Sequence, residues 1–224
     1  MSSVRTRRGV QPDRRAQRRA ARRDDNRTEI LDAAERVFGT RGVRDGSLRE
    51  IAAHAGFSTG AIYLFFDSKG HLLAETLTRR ATELVATLTV EAERDVAPLA
   101  KLHDIVDAMV AFFDARPHFR GLLRHMSGGA EIVGPALAEH ARDVGGLFDT
   151  AMGLLAEIVR AGQRVGEIRD GDAAAIARLY SVLVNEQVLL GDGGAGTLTR
   201  QEFHGLVDGA LRRPARSAAR PGAR

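Results

Sequence analysis

The stretch Ser47–Phe66, SLREIAAHAGFSTGAIYLFF, decides the fold. Ser47 can cap a helix, and Glu50, three residues on, can reach back to complete a capping box. Leu48, Ile51, Ala52 and Ala55 follow at helical spacing and form one apolar face. Gly56 stands where the chain must turn, because glycine accepts a left-handed backbone without steric cost. Ser58 can cap a second helix, with Ala61, Ile62 and Phe65 on its inner face. The small Ala52 lets the two helices cross closely. Two short helices packed across such a corner leave one free to lie in a major groove.

Outward from this motif, the segment from Thr28 to Leu77 resembles the DNA-binding domain of the tetracycline-repressor (TetR) family of bacterial regulators. The matching residues are Ala33, Phe38, Gly42, Ile51, Ala52, Gly56, Ser58, Ile62, Tyr63, Phe66, Ser68 and Lys69. Gly70 and Leu64 depart from the acidic and polar residues usual in the family at those places. The resemblance implies a ligand-responsive, homodimeric DNA-binding regulator, in most cases a repressor of a palindromic operator. Tyr63 and Lys69 resemble the family's phosphate-binding pair. Arg27, Thr28, Ser47, Ser58, Thr59, Gly60 and Leu64 complete the expected DNA contacts. The Thr59 and Ser58 hydroxyls suit phosphates or base edges, and Leu64 or the Thr59 methyl suits a thymine methyl. Gly60 lets backbone and DNA approach closely.

The rest of the chain reads as helix. Tryptophan is absent and proline scarce among 224 residues, which favours an all-α architecture. A first helix is expected over Thr28–Thr40, ended by Gly42. A longer one is expected from Lys69 to about Arg94, capped by Asp67 or Ser68. Further helices are expected over Pro98–Ala115, His118–Met126, Pro135–Ala161, Asp172–Leu190 and Thr199–Arg212. The expected organisation is an Arg-rich flexible arm (1–26) in which Pro12–Arg23 can form helix, a three-helix head (27–74), a helical effector-binding and dimerisation body (75–213) and a disordered basic tail (214–224).

Composition narrows the function classes. The chain has no cysteine, hence no disulfide and no thiolate metal site or nucleophile. No apolar run approaches a bilayer span on inspection, and the basic N-terminus lacks the apolar core of a secretory signal. A cytoplasmic location without membrane partners is expected. An Arg-rich, acid-poor start also suits a mitochondrial transit peptide, against which the bacterial-type motif behind it argues. The net charge of +4 hides an asymmetry. Arg5, Arg7, Arg8, Arg14, Arg15, Arg18, Arg19, Arg22, Arg23 and Arg27 crowd the start, so the middle of the chain is net acidic. Such an arm beside a DNA-binding motif suggests contact with phosphates or the minor groove, against the plainer reading of a solvated arm.

Other candidate sites are weak. Gly191, Gly193 and Gly196 satisfy G-x-G-x-x-G but follow a helix with no strand nearby, which suits a linker and not a dinucleotide site. Glu50 and His54, four apart, read as a solvated pair and not as metal ligands. His103, His118, His125 and His140 lack ligand spacing. No cofactor or metal is expected, and no catalytic constellation appears. Met109, Phe112, Phe113, Leu122, Leu123, Phe148, Met152 and Tyr180 could line a broad apolar pocket for a small-molecule effector, or simply form core. Ile176, Leu179, Leu183, Val184, Phe203, Leu206 and Val207 offer more apolar surface than one body needs, and are the expected interface of the homodimer. The competing readings are a helical enzyme or carrier with a nonspecific basic region, and a constitutive DNA-binding protein without an effector.

Overall fold

The computed structural model describes residues 14–127, 141–191 and 197–214, with the backbone alone for 141–143. The loop after Ser127, the expected helix start at Pro135, His140, the link from Asp192 to Gly196 and the tail beyond Pro214 lie outside the described residues. Nine helices follow one another within them: α1 (Arg14–Asp45), α2 (Leu48–Ala55), α3 (Thr59–Ile62), α4 (Lys69–Glu93), α5 (Pro98–Asp114), α6 (Pro117–Ser127), α7 (Ala141–Arg164), α8 (Ala173–Leu190) and α9 (Arg200–Leu211). The fold is all-α. The described residues hold no strand, only an isolated bridge between Ile168 and Arg212.

Local chemistry sets most of the boundaries. Ser68, Asp172 and Thr199 accept hydrogen bonds from backbone amides of their own first turns, which satisfies donors that a helix start leaves orphaned. Pro98 opens α5, where no cap side chain is available. There the Leu99 amide donates instead to the Glu167 carboxylate, 3.0 Å away in the α7–α8 turn. Thr199 and Glu202 form a full capping box. At Ser47 only half of the expected box exists. Ser47 Oγ accepts from the Glu50 amide at 3.2 Å, but the Glu50 carboxylate pairs with Arg41 at 2.8 Å, so a charged partner has displaced the reciprocal bond.

Two expectations change. The expected start at Thr28 is not a helix boundary, because α1 is helical from Arg14 onward. Arginine and alanine are good helix formers and nothing between Arg14 and Arg41 breaks the ladder. Gly42 (φ 78°, ψ 165°) is non-helical and interrupts the ladder there, and a further helical turn follows to Asp45. The 74/75 division falls inside α4, as it does inside the helix expected from Lys69 to about Arg94, and one continuous cluster of buried side chains runs from Ile30 and Phe38 in the head to Val207 and Leu211 at the far end of the body. Finally, α8 is by length and composition apolar enough to cross a bilayer, with a third of it buried in the protomer. Arg178, Asn185, Glu186 and Gln187 interrupt it, so no continuous run is visible by eye.

Long-range contacts position the head. α6 lies directly on α1, and α4 runs between α1 and the body helices α5 and α7. Where α1 crosses α6, a Cβ on Gly39 would sit 2.1 Å from the His118 carbonyl oxygen, and one on Gly121 would sit 2.4 Å from the Gly39 oxygen. Only glycines permit that approach. At the other end of the body α9 docks on α5 through stacked His103 and His204 rings, 4.5 Å between centroids. Each ring meets the other helix's carboxylate, His103 with Asp208 at 2.9 Å and His204 with Asp107 at 3.1 Å.

Candidate nucleic-acid interface and ligand cleft

The corner between α2 and α3 is built as its residues require. Gly56 takes φ 73°, a left-handed conformation that terminates α2. An added Cβ there would meet nothing, so glycine answers to backbone conformation and not to crowding. Ser58 Oγ accepts from the Ala61 amide at 3.2 Å and starts α3. The α-helix proper spans only Thr59–Ile62 and continues as tight turns in which Leu64 and Phe65 donate to Ala61 and Ile62. Ile62 and Phe66 anchor this element in the core. Tyr63 and Leu64 face outward, 54% and 73% exposed. Gly60 is exposed, with only Ser58 Oγ within 4 Å of an added Cβ. Ser47 and Ser58 are exposed and Thr59 partly so.

The remaining expected DNA contacts already have internal partners. Arg27 pairs with Glu75 at 2.7 Å and lies 4.8 Å from the Phe66 ring centroid, tying α1 to α4. The Thr28 hydroxyl donates to the Asp24 carbonyl. Lys69 Nζ donates to the Arg44 carbonyl at 3.2 Å. Partial burial lowers the Lys69 pKa, and Asp45 opposes that shift. Arg23, absent from the expected contacts, lies 5.7 Å from the Phe65 ring centroid, beside the end of the recognition element.

Head and body are joined by charge as well as packing. The Glu35 carboxylate is buried in α1 and accepts from Arg80 Nε at 2.6 Å and from Arg79 at 3.3 Å. Arg80 continues to Glu83, which holds Arg116 at 3.1 Å at the start of α6. The Arg116 guanidinium in turn lies 3.9 Å from the Phe112 ring centroid. A signal for Glu35 was present in the sequence, since it shares a helical face with Leu31 and Phe38. A carboxylate on an apolar face needs a cationic partner, yet spacing alone does not say that Arg79 and Arg80 supply it.

The eight expected pocket residues separate into three groups. Met109, Phe148, Met152 and Tyr180 line a cleft of about 90 Å³ among α4, α5, α7 and α8, to which Ser181 and Asn185 add uncharged polar groups. Phe113 and Leu123 line a different surface groove, shared with Met126 and Leu189. Phe112 and Leu122 are core, with Phe112 edge-on to Phe113 and Phe119. The Tyr180 hydroxyl donates to the Leu102 carbonyl at 2.6 Å, and burial, with Asp107 nearby, pushes its pKa far above that of an ordinary phenol.

The expected interface divides as well. Leu179 and Leu206 are exposed, as are Leu183 and the unforeseen Val182. Leu179, Val182 and Leu183, with Ile176, line an apolar groove of about 550 Å³ between α8 and α9. Val184 and Phe203 instead point into the protomer's own core, and Val207 is buried beneath the groove that it helps to line.

Residues 30–76 match the family described as bacterial regulatory proteins, tetR family. The HTH-type transcriptional regulator TtgR of Pseudomonas putida is 30% identical over 177 residues, 75% of this chain and 82% of the relative. That overlap takes in head and body together. This chain belongs to the tetR family. Part of the head also aligns with the HTH-type transcriptional repressor KstR2 of Rhodococcus jostii, 45% identical over 51 residues, 23% of this chain and 25% of the relative. A tetR-family regulatory protein from Rhodococcus shares the fold, with a TM-score of 0.71 at 21% identity over 85% of this chain and 98% of that one. As a tetR-family member the chain is a non-enzymatic, DNA-binding transcriptional regulator. The reading as a helical enzyme or carrier is thereby set aside.

Proposed function

We propose that this tetR-family regulator is a cytoplasmic homodimeric repressor that leaves a palindromic operator when an uncharged, largely apolar small molecule enters the body. The observation that carries the reading is the path of α4. Lys69 at its start is bonded to the head, while Leu84 and Leu88, about 22 Å and more along the same helix, line the cleft with Met109, Phe148 and Met152. The cleft is smaller than the roughly 300 Å³ and more that drug-sized ligands occupy. A ligand would therefore favour a state in which α4 and α7 have moved apart, and would shift the population of head positions only through that differential affinity. Ser181 and Asn185 supply hydrogen bonds but no charge, which favours neutral ligands over anions. In the head, Thr59 and Leu64 are assigned to bases, Gly60 to close approach of the DNA, and Tyr63 and Lys69 to phosphates.

The test is selection of duplexes from a randomised pool by the full-length protein, followed by release assays with matched neutral and anionic apolar compounds. A palindromic consensus released by neutral compounds is the expected result. A single, non-repeated site, or release by anions alone, overturns the corresponding half of the proposal.

A further inference from the structure

The first three turns of α1 have no counterpart in the head's core. From Arg14 to Asp25 every side chain is exposed. Arg14, Arg18 and Arg22 form one row at helical spacing and Arg15, Arg19 and Arg23 the adjacent row, so six guanidiniums share one half of the helix surface. Ala16, Gln17, Ala20 and Ala21 occupy the other half and offer no apolar stripe to bury. Like charges four residues apart destabilise a helix by a few tenths of a kcal/mol per pair. This segment is nonetheless helical, held by the propensity of alanine and arginine and by continuity with a helix already nucleated in the head. A polyanion would relieve the repulsion.

The direction of the segment favours one polyanion. Arg23 rests against Phe65 and Arg27 against Phe66, so the extension leaves the head beside the turn that ends the recognition element. We infer that Arg14–Arg23 is a rigid basic helix that lies along the sugar–phosphate backbone of the DNA flanking each operator half-site. It is not a threaded minor-groove arm, because a helix with its side chains is about 10–12 Å across while the minor groove is about 6 Å wide. Nine residues of rise span about 14 Å, which measured along the duplex axis is about four base-pair steps. This rests on the proposal that the head binds duplex DNA.

Two variants separate charge from rigidity. One replaces Arg14, Arg15, Arg18, Arg19, Arg22 and Arg23 by Gln. The other keeps every arginine and introduces Ala16→Gly with Ala20→Pro, which breaks an interior turn. Both are read by hydroxyl-radical footprinting and by the salt dependence of affinity, on a duplex of about 50 bp selected from a random pool and on unselected duplex. With about three phosphates neutralised per protomer of a dimer, the glutamine variant loses about five units of the log–log salt slope and its flanking protection, and keeps the half-site footprint. The proline variant also loses the flanking protection. An unchanged slope in the glutamine variant overturns any DNA role for the segment. A wild-type footprint and slope in the proline variant overturn the rigid helix. Failure of the head reading looks different: no half-site is protected by any of the three proteins, while the slope difference on unselected duplex still scores the arm. Equal melting temperatures check that the fold is untouched.

Discussion

Lys69 has two demands on one ammonium. It donates to the Arg44 carbonyl near the end of α1, and it stands where a phosphate contact is proposed. Partial burial depresses its pKa, yet an ammonium carries three donors and one internal bond leaves two. If Lys69 serves both roles, Lys69→Ala weakens selected and random duplex by similar factors and lowers the salt slope by about one unit per protomer. If it only holds Arg44, the variant melts earlier and its folded fraction keeps the wild-type slope. Titrations across a salt series at a temperature where both proteins are folded distinguish the two. Gly60 poses the opposite case. Its backbone is not left-handed and its surroundings are open, so Gly60→Ala costs the isolated protein nothing and gains up to about 1 kcal/mol of helix preference. A loss of about tenfold or more in operator affinity, with an equal or higher melting temperature, is expected if the DNA backbone comes close there. Unchanged affinity would place the DNA elsewhere.

The crossing of α1 and α6 is where a body element touches the head backbone to backbone. A Cβ on Gly121 would meet the Gly39 oxygen at 2.4 Å, and no flexible side chain is available to yield. Gly121→Ala is therefore expected to destabilise the protein by about 1–3 kcal/mol through overpacking, and to displace α6 from the head. Thermal melts read the first effect, and operator affinity of the folded fraction reads the second. A wild-type melting temperature would mean that the helices are free to separate at this point. None of this was legible in the sequence, because Gly39 and Gly121 are far apart in the chain and each alone reads as a weak position in a helix. What was legible is local: Ser58, Ser68, Asp172 and Thr199 mark helix starts because a cap bonds within its own turn, and Gly56 marks the corner because only a left-handed backbone closes it. Periodicity also failed where it had nothing to register. Arg14–Asn26 carry no apolar repeat, so the helix that Pro12–Arg23 can form could not be read as continuous with the one expected from Thr28. The half-formed box at Ser47 was equally hidden, because Arg41, a tertiary partner, takes the Glu50 side chain.

For the molecule as a whole, periodicity names the residues that share a helix face but not which body covers that face. Val184, Phe203 and Val207 are covered by their own protomer, whereas Leu179 and Val182, 67% and 60% exposed, are left open with Leu183 and Leu206 along α8 and α9. Two copies related by a two-fold axis would apply this patch to itself, and a stable interface needs roughly 800 Å² from each partner. The same axis would set two α3 elements about one DNA turn apart, or a multiple of it, as a palindrome requires. Leu183→Glu is expected to yield monomers that bind operator weakly, but Leu183 is only 38% exposed, so misfolding would give the same readout. Leu179→Glu removes that ambiguity, because a carboxylate at so open a position costs the isolated protomer little. It should behave by light scattering as a folded monomer at micromolar concentration, with native helicity and a loss of operator affinity of about a hundredfold or more. A wild-type protein that is monomeric under the same conditions and binds its operator tightly as a single copy would overturn the dimer. So would a Leu179→Glu variant that remains dimeric with wild-type affinity.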